Sequence, residues 1–231
     1  MSSRASTNRT PFLPEKTIEG EAELLLGEYA RDREPITSPP VPVEEVLELQ
    51  LGLTVELDDL RAMFGCEDVL GAIWFKDGLV RIDRSLDPHE NPSMLGRFRF
   101  TLAHEAAHWR LHKALYREDP DQAHLYGGRG TPAFVCRSSE KPPVEWQADR
   151  FASFLLTPRA MVIAAWQDWR GGLDPVCLDE HDRGKAPELV ASMLESICRP
   201  LAAQFEVSRP AMRIRLESLG LLLREPSPTL F

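Results

Sequence analysis

The sequence predicts an α+β fold, in which a small antiparallel sheet packs on a mainly helical body and a helix-turn-helix-like segment closes the C-terminus. Three observations carry this. The apolar runs DVLGAIWF and LVRID flank Lys76-Asp77-Gly78, and Asp-Gly signals a hairpin because both central residues of such a turn favour positive φ. From about residue 94 onward, apolar residues recur at helical rather than alternating spacing. Near the end, LAAQFEVSRPAMRIRLESLG reads as a short helix, a turn at Val207-Ser208 and a second helix stopped by Gly220.

Taken in order, residues 1–16 read as a disordered tail, without the apolar core that a secretory signal needs. Ile18, Ala22, Leu25, Leu26 and Tyr29 then fall at helical spacing, predicting a helix over about 17–31. The run REPITSPPVPVEE breaks it. Pro42 suits the start of a second helix through VEEVLELQ and Gly52 its end. LTVEL joins the two hairpin strands in a sheet over about 53–83. Helices follow at about 94–115, 144–155, 158–170, 187–198, 201–206 and 209–219. The segment 113–143, with Gly127, Gly128, Gly130 and several prolines, is long enough for an insertion or an active-site loop. This divides the chain into a main domain at 17–198, a helix-turn-helix-like segment at 199–224 and a tail at 225–231.

Composition narrows the function classes. With 43% hydrophobic residues among 231, the chain can bury a substantial core. A net charge of -9 opposes broad binding to nucleic acid or anionic membranes, so any DNA contact has to be local. The four cysteines form no CxxC pair, which points to free thiols in a reducing, cytoplasmic setting. No run of some 18 apolar residues predicts a membrane span.

The chemistry concentrates in TLAHEAAHWRLH, residues 101–112. Residues four apart lie one turn above each other on a helix, so His104 and His108 can aim imidazoles at one ion with Glu105 beside them. That is the HExxH arrangement of two nitrogen ligands for zinc and a carboxylate that takes a proton from water. The helix is apolar nearly all round, through Leu95, Phe98, Leu102, Ala103, Ala106, Ala107, Trp109 and Leu111, so its polar residues are buried and need partners. His112 lies two turns from His104, roughly 12 Å by helix rise, and is read as a bystander. A third ligand then comes from EWQADRFASFLLTP, where Glu145 and Asp149 share a face. Glu145 is read as the ligand and Asp149 as the acceptor of a ligand histidine's other ring proton.

With these residues in place, the chain resembles the ImmA/IrrE family of zinc-dependent metallopeptidases. The matching stretches are LVRIDRSL and RFRFTLAHEAAHWRLH, EWQADRFASFLLTP, and LAAQFEVSRPAMRIRLESLGLL, with an N-terminal helix and PPVPVEE before them. The resemblance implies a zincin-like fold, metal ligands His104, His108 and Glu145, and Glu105 as catalytic base. It implies one Zn2+, for which other divalent ions such as Mn2+ are alternatives, and a helix-turn-helix transcriptional repressor as the protein substrate, cut under stress. Asp149 departs from the asparagine common in the family, and segment 113–143 has no assigned counterpart. His124 and Tyr126 within it are candidates for stabilising an oxyanion.

The expected reaction is peptide hydrolysis, with the metal acidifying water and polarising the carbonyl while Glu105 carries the proton to the leaving amine. The strand at Leu70–Phe75 is a candidate for holding substrate as an added strand. Two rival readings are a DNA-binding regulator, using Arg209, Arg213 and Arg215 on phosphates, and a protein-interaction module with a non-catalytic zinc. The peptidase reading is preferred because three ligands plus a base suit a catalytic site better than a closed structural one. Oligomeric state is left open.

Overall fold

A computed structural model describes residues 11–115, 132, 134–137, 142–178 and 187–224. The candidates His124 and Tyr126, and most of segment 113–143, lie outside the described residues. The elements are α1 (Glu15–Tyr29), α2 (Val43–Glu45, continued by a π-helical turn Val46–Gln50), β1 (Thr54–Asp58), α3 (Leu60–Phe64), β2 (Val69–Trp74) and β3 (Leu79–Asp83). After them come α4 (Leu95–Ala107), β4 (Phe134–Arg137), α5 (Pro143–Leu156), α6 (Arg159–Arg170), β5 (Val176–Leu178), α7 (Pro187–Phe205), α8 (Arg209–Ser218) and β6 (Leu222–Arg224).

The expected hairpin is present, but its turn, residues 75–78, takes positive φ at Gly78 and not at Asp77, and the sheet is mixed rather than antiparallel. Its order is β1-β3-β2-β4, with β1 parallel to β3 and β2 antiparallel to both neighbours. Side chains explain the parallel pairing. Buried Arg81 on β3 reaches across to Glu56 at 3.0 Å and Asp58 at 3.1 Å on β1. Asp83, also buried, accepts hydrogen bonds from the backbone of Leu60 and Arg61, which anchors the unforeseen helix α3. Five residues are too few to show a helical period, and α3 depends on this anchor and on the Asp59 cap.

Strand β4 was also unforeseen, and it overturns the placing of substrate on Leu70–Phe75. Strand β2 is hydrogen-bonded on both sides, by β3 and by β4, so it has no free edge. The chain's own strand takes the place expected for substrate.

The main core lies between the sheet and helices α1, α2, α4 and α5, where Ile18, Leu25, Leu47, Ile73, Ile82, Leu102, Phe151 and Leu155 are fully buried. Residues 11–16, expected as part of a disordered tail, pack on the main body or enter α1. Phe12 stacks on Trp146, and the Pro11 carbonyl accepts a hydrogen bond from Gln147.

A second core joins α6 to the C-terminal helices. Helix α7 runs unbroken through Pro200, where the sequence reading placed two helices and a domain boundary. Its buried stripe of Leu194, Cys198, Leu201, Ala202 and Phe205 continues on both sides of the proline. This packing offsets a cost of about 3 kcal/mol for proline inside a helix. The turn from α7 to α8 rests on α4 at Gly96, where an added Cβ would stand 3.3 Å from the Ser208 backbone nitrogen.

The arginines proposed for phosphate contact are otherwise engaged. Arg215 is buried, donating to the Thr157 carbonyl at 3.0 Å and to Glu19 at 2.6 Å while lying over the Phe154 ring. Arg209 pairs with Glu195, and Arg213 with Glu217. Arg215 thus ties α8 to α1 and to the end of α5. Replacing it with alanine strands the Glu19 carboxylate and should cost about 3 kcal/mol, seen as a lower urea midpoint with an unchanged m-value.

Candidate metal centre

The site forms where α4 packs along α5. Both helices bury the faces in contact, and each brings a pair of polar residues four positions apart to the seam. His104 and His108 project from α4 towards Glu145 and Asp149 on α5. The His104 and His108 Nε2 atoms are 3.0 Å apart; Glu145 Oε2 is 2.9 Å from His104 Nε2 and Oε1 is 3.5 Å from His108 Nε2. Donors held about 2.1 Å from one ion in tetrahedral geometry stand about 3.4 Å apart. These three side chains therefore fit a divalent cation in spacing and in donor chemistry, and all three are buried.

Each ring's second nitrogen is accounted for. His104 Nδ1 is 3.0 Å from Asp149 Oδ1, which is the contact expected for Asp149. His108 Nδ1 is 3.0 Å from His112 Nδ1, so His112 is not a bystander. Helix α4 is continued by a π-helical turn, His108–His112, which keeps His112 buried beside His108. His112 Nε2 is 3.1 Å from Gln147 Oε1, and Gln147 Nε2 donates to the Pro11 carbonyl at 2.7 Å.

With His112 neutral, as its burial favours, one set of proton positions satisfies this chain. The Gln147 amide nitrogen is committed to Pro11, so its oxygen accepts from His112 Nε2–H. His112 Nδ1 then accepts from His108 Nδ1–H, which leaves His108 Nε2 with its lone pair facing Glu145 and His104. The i, i+4 spacing of His108 and His112 is visible in the sequence and is the signal for this contact.

Glu105 is fully buried beneath the sheet, and among the described residues neither carboxylate oxygen has a hydrogen-bond partner. Gly71 on β2 makes the room. A Cβ there would lie 2.7 Å from Glu105 Oε1 and 2.7 Å from the Thr101 methyl. A lone glycine inside an apolar strand marks close approach of another group, so this signal was present in VLGAIW and went unused. Cys136 on β4, directly across from Gly71, groups with His104 and Glu105, all within 4.8 Å of one another. No sequence pattern singled it out. Phe134 lies flat on His108 with ring centroids 4.2 Å apart.

The charges are unevenly held. Burial opposes a charge on His104, but hydrogen bonds to Asp149, Cys136 and Glu145 outweigh it and hold its pKa well above the usual value. Burial pushes His108 down to about 4, although Glu145 pulls the other way. For Glu145, burial raises the pKa, but its interactions with His104 and His108 prevail and hold it at about 2. Glu105 is pushed up to about 8, chiefly by burial.

Comparison with known proteins agrees with the geometry. A family model described as Peptidase_M78, IrrE N-terminal-like domain, matches residues 89–217, more than half of the chain. The chain belongs to this family. No curated protein matches it. The matched span includes α4 and α5 and the pairs they bring together. Family and cluster together make the chain a metallopeptidase. Among the described residues, no helix is long and apolar enough to cross a membrane.

Two outcomes follow for protein stripped of metal by a chelator. Glu105 has a folded pKa of about 8 against an ordinary 4.5, so between these values the folded state binds more protons than the unfolded state. The Glu105 contribution to stability should therefore fall as pH rises from 4.5 to 8, opposed below 6.5 by His108, and Glu105→Gln should make the slope less negative across this range in denaturant melts. Gly71→Ala, which forces Glu105 or Thr101 aside, should cost about 1–3 kcal/mol in the same measurement.

Proposed function

We propose that the chain is a zinc-dependent endopeptidase that cuts one or a few partner proteins. His104, His108 and Glu145 are the ligands, Glu105 is the general base, and Asp149 and His112 position the ligands. The observation that carries this reading is the convergence of two imidazole nitrogens and a carboxylate from α4 and α5, with a partnerless buried carboxylate beside them. A bound zinc supplies Lewis-acid polarisation of the scissile carbonyl and acidification of the attacking water.

The chain's own groups do the rest. Asp149 accepts from His104 Nδ1, and His112 accepts from His108 Nδ1, so both rings present Nε2 to the same point. Among the described residues Glu105 holds no hydrogen bond, so its carboxylate is available to take a proton from water and hand it to the leaving amine. A cation beside it favours the ionised form that burial disfavours. The fully buried setting strengthens each of these electrostatic effects.

The family resemblance supports a helix-turn-helix repressor as substrate, and the reducing setting inferred from the cysteines supports a cytoplasmic one. The ion pairs of Arg209, Arg213 and Arg215 support a C-terminal pair that completes the fold rather than one that grips DNA.

Co-expression with a candidate helix-turn-helix repressor tests this reading directly. The wild type should cleave it, a chelator should stop cleavage, and Glu105→Gln should slow it by about 10³-fold while retaining the metal. Undiminished cleavage by Glu105→Gln would remove the peptidase mechanism. His112→Leu should weaken metal binding by about 10–100-fold in competition with a chromophoric chelator, with partial recovery in His112→Asn, whose side-chain oxygen can still accept a hydrogen bond.

A further inference from the structure

Strand β4 presents the site with a side chain that the proposed mechanism does not use. It occupies the edge of β2 and lays Phe134 on the His108 ring. Its Cys136 is buried, and the sulfur falls within 4.8 Å of a ligand atom of His104 and of a carboxylate oxygen of Glu105. A cysteine buried for packing alone belongs among apolar neighbours. This one faces a histidine and a carboxylate that has no other partner, in the space that Gly71 leaves open opposite it.

We propose that Cys136 is a fourth ligand, supplied by the chain itself to the metal held by His104, His108 and Glu145, and that β4 thereby latches the resting site shut. The inference rests on the metal-centre reading above. Sulfur bonds zinc at about 2.3 Å, so ligation asks for a sulfur-to-nitrogen separation of roughly 3.6 Å; within 4.8 Å Cys136 groups with His104 and Glu105 and not with His108 and Glu145 together, so metal binding has to draw β4 about 1 Å or more towards the three donors. On ligation the sulfur–metal bond forms and the thiol proton passes to Glu105, the basic oxygen in reach. Opening reverses both changes. The sulfur–metal bond breaks, the thiol regains its proton, and Glu105 is again free to act on water. Thiol and water compete for one position, so a substrate must displace Cys136, and with it β4, before hydrolysis begins.

Cobalt substitution of the full chain tests the assignment without relying on activity. Chelator-stripped wild type and Cys136→Ser are each loaded with stoichiometric Co2+. Both should show visible d–d bands, and only the wild type should add a near-ultraviolet sulfur-to-cobalt charge-transfer band. As a check that does not depend on the variant folding, peptide mapping of wild type after iodoacetamide treatment should show metal slowing alkylation of Cys136 by about tenfold or more, since a metal-bound sulfur is shielded. Equal near-ultraviolet spectra in the two proteins, or alkylation indifferent to metal, would overturn the Cys136 assignment and leave the three-ligand centre standing. Absence of cobalt bands from both proteins would overturn the metal-centre reading, and this inference with it.

Discussion

The constraint on which the site depends is the burial of helix α4. A helix covered on nearly every side cannot hydrate its polar side chains, and α4 with its π-turn carries three histidines and a glutamate. Each unpartnered group costs several kcal/mol. The neighbouring helix relieves most of that cost by offering Glu145, Gln147 and Asp149 along one seam. Glu105 is the group left without relief, and its raised pKa is the physical mark of that. A site that a cation would complete is thus assembled from the ordinary requirement that buried polar atoms find partners.

The same requirement reaches beyond the ligands. Asp149 and His112 settle which nitrogen each donor ring presents, and Gln147 passes the orientation of His112 back to the backbone at Pro11. The N-terminal segment is therefore coupled to the centre of the molecule through three hydrogen bonds. Arg215 does similar work at the other end, joining α8 to α1 and to the residue that ends α5. The Pro11 segment and α8 are both fastened to α5, one of the two helices that form the site, which favours a rigid donor geometry.

Strand β4 gives the fold its least expected property. Sheet edges next to a reactive centre are natural places to receive an extended peptide. Here the edge of β2 is filled by a strand from the end of the long connector, and that strand brings an aromatic ring and a thiol to the ligands. Access to the chemistry and the position of β4 are consequently one question rather than two.

Much of this was legible from the residues in order. The hairpin at Asp77-Gly78, the long helices and the pairing of His104 and His108 with Glu145 and Asp149 follow from turn chemistry and helical spacing, which are local properties. The cation-fitting donor set was readable because both halves repeat the same four-residue spacing. What local pattern could not supply was pairing between distant segments. The parallel docking of β1 depends on Arg81 meeting Glu56 and Asp58, and α3 depends on Asp83, 22 and 23 residues from the amides it holds. Continuity of α7 through Pro200 depends on a stripe packed against α6 and α8. Only the tertiary structure could show that Gly71 leaves room for Glu105, that His112 turns His108, and that Cys136 faces the site. Each of these is a contact between side chains and space on different elements, or a choice of rotamer within one, and spacing along a single chain carries no information about either.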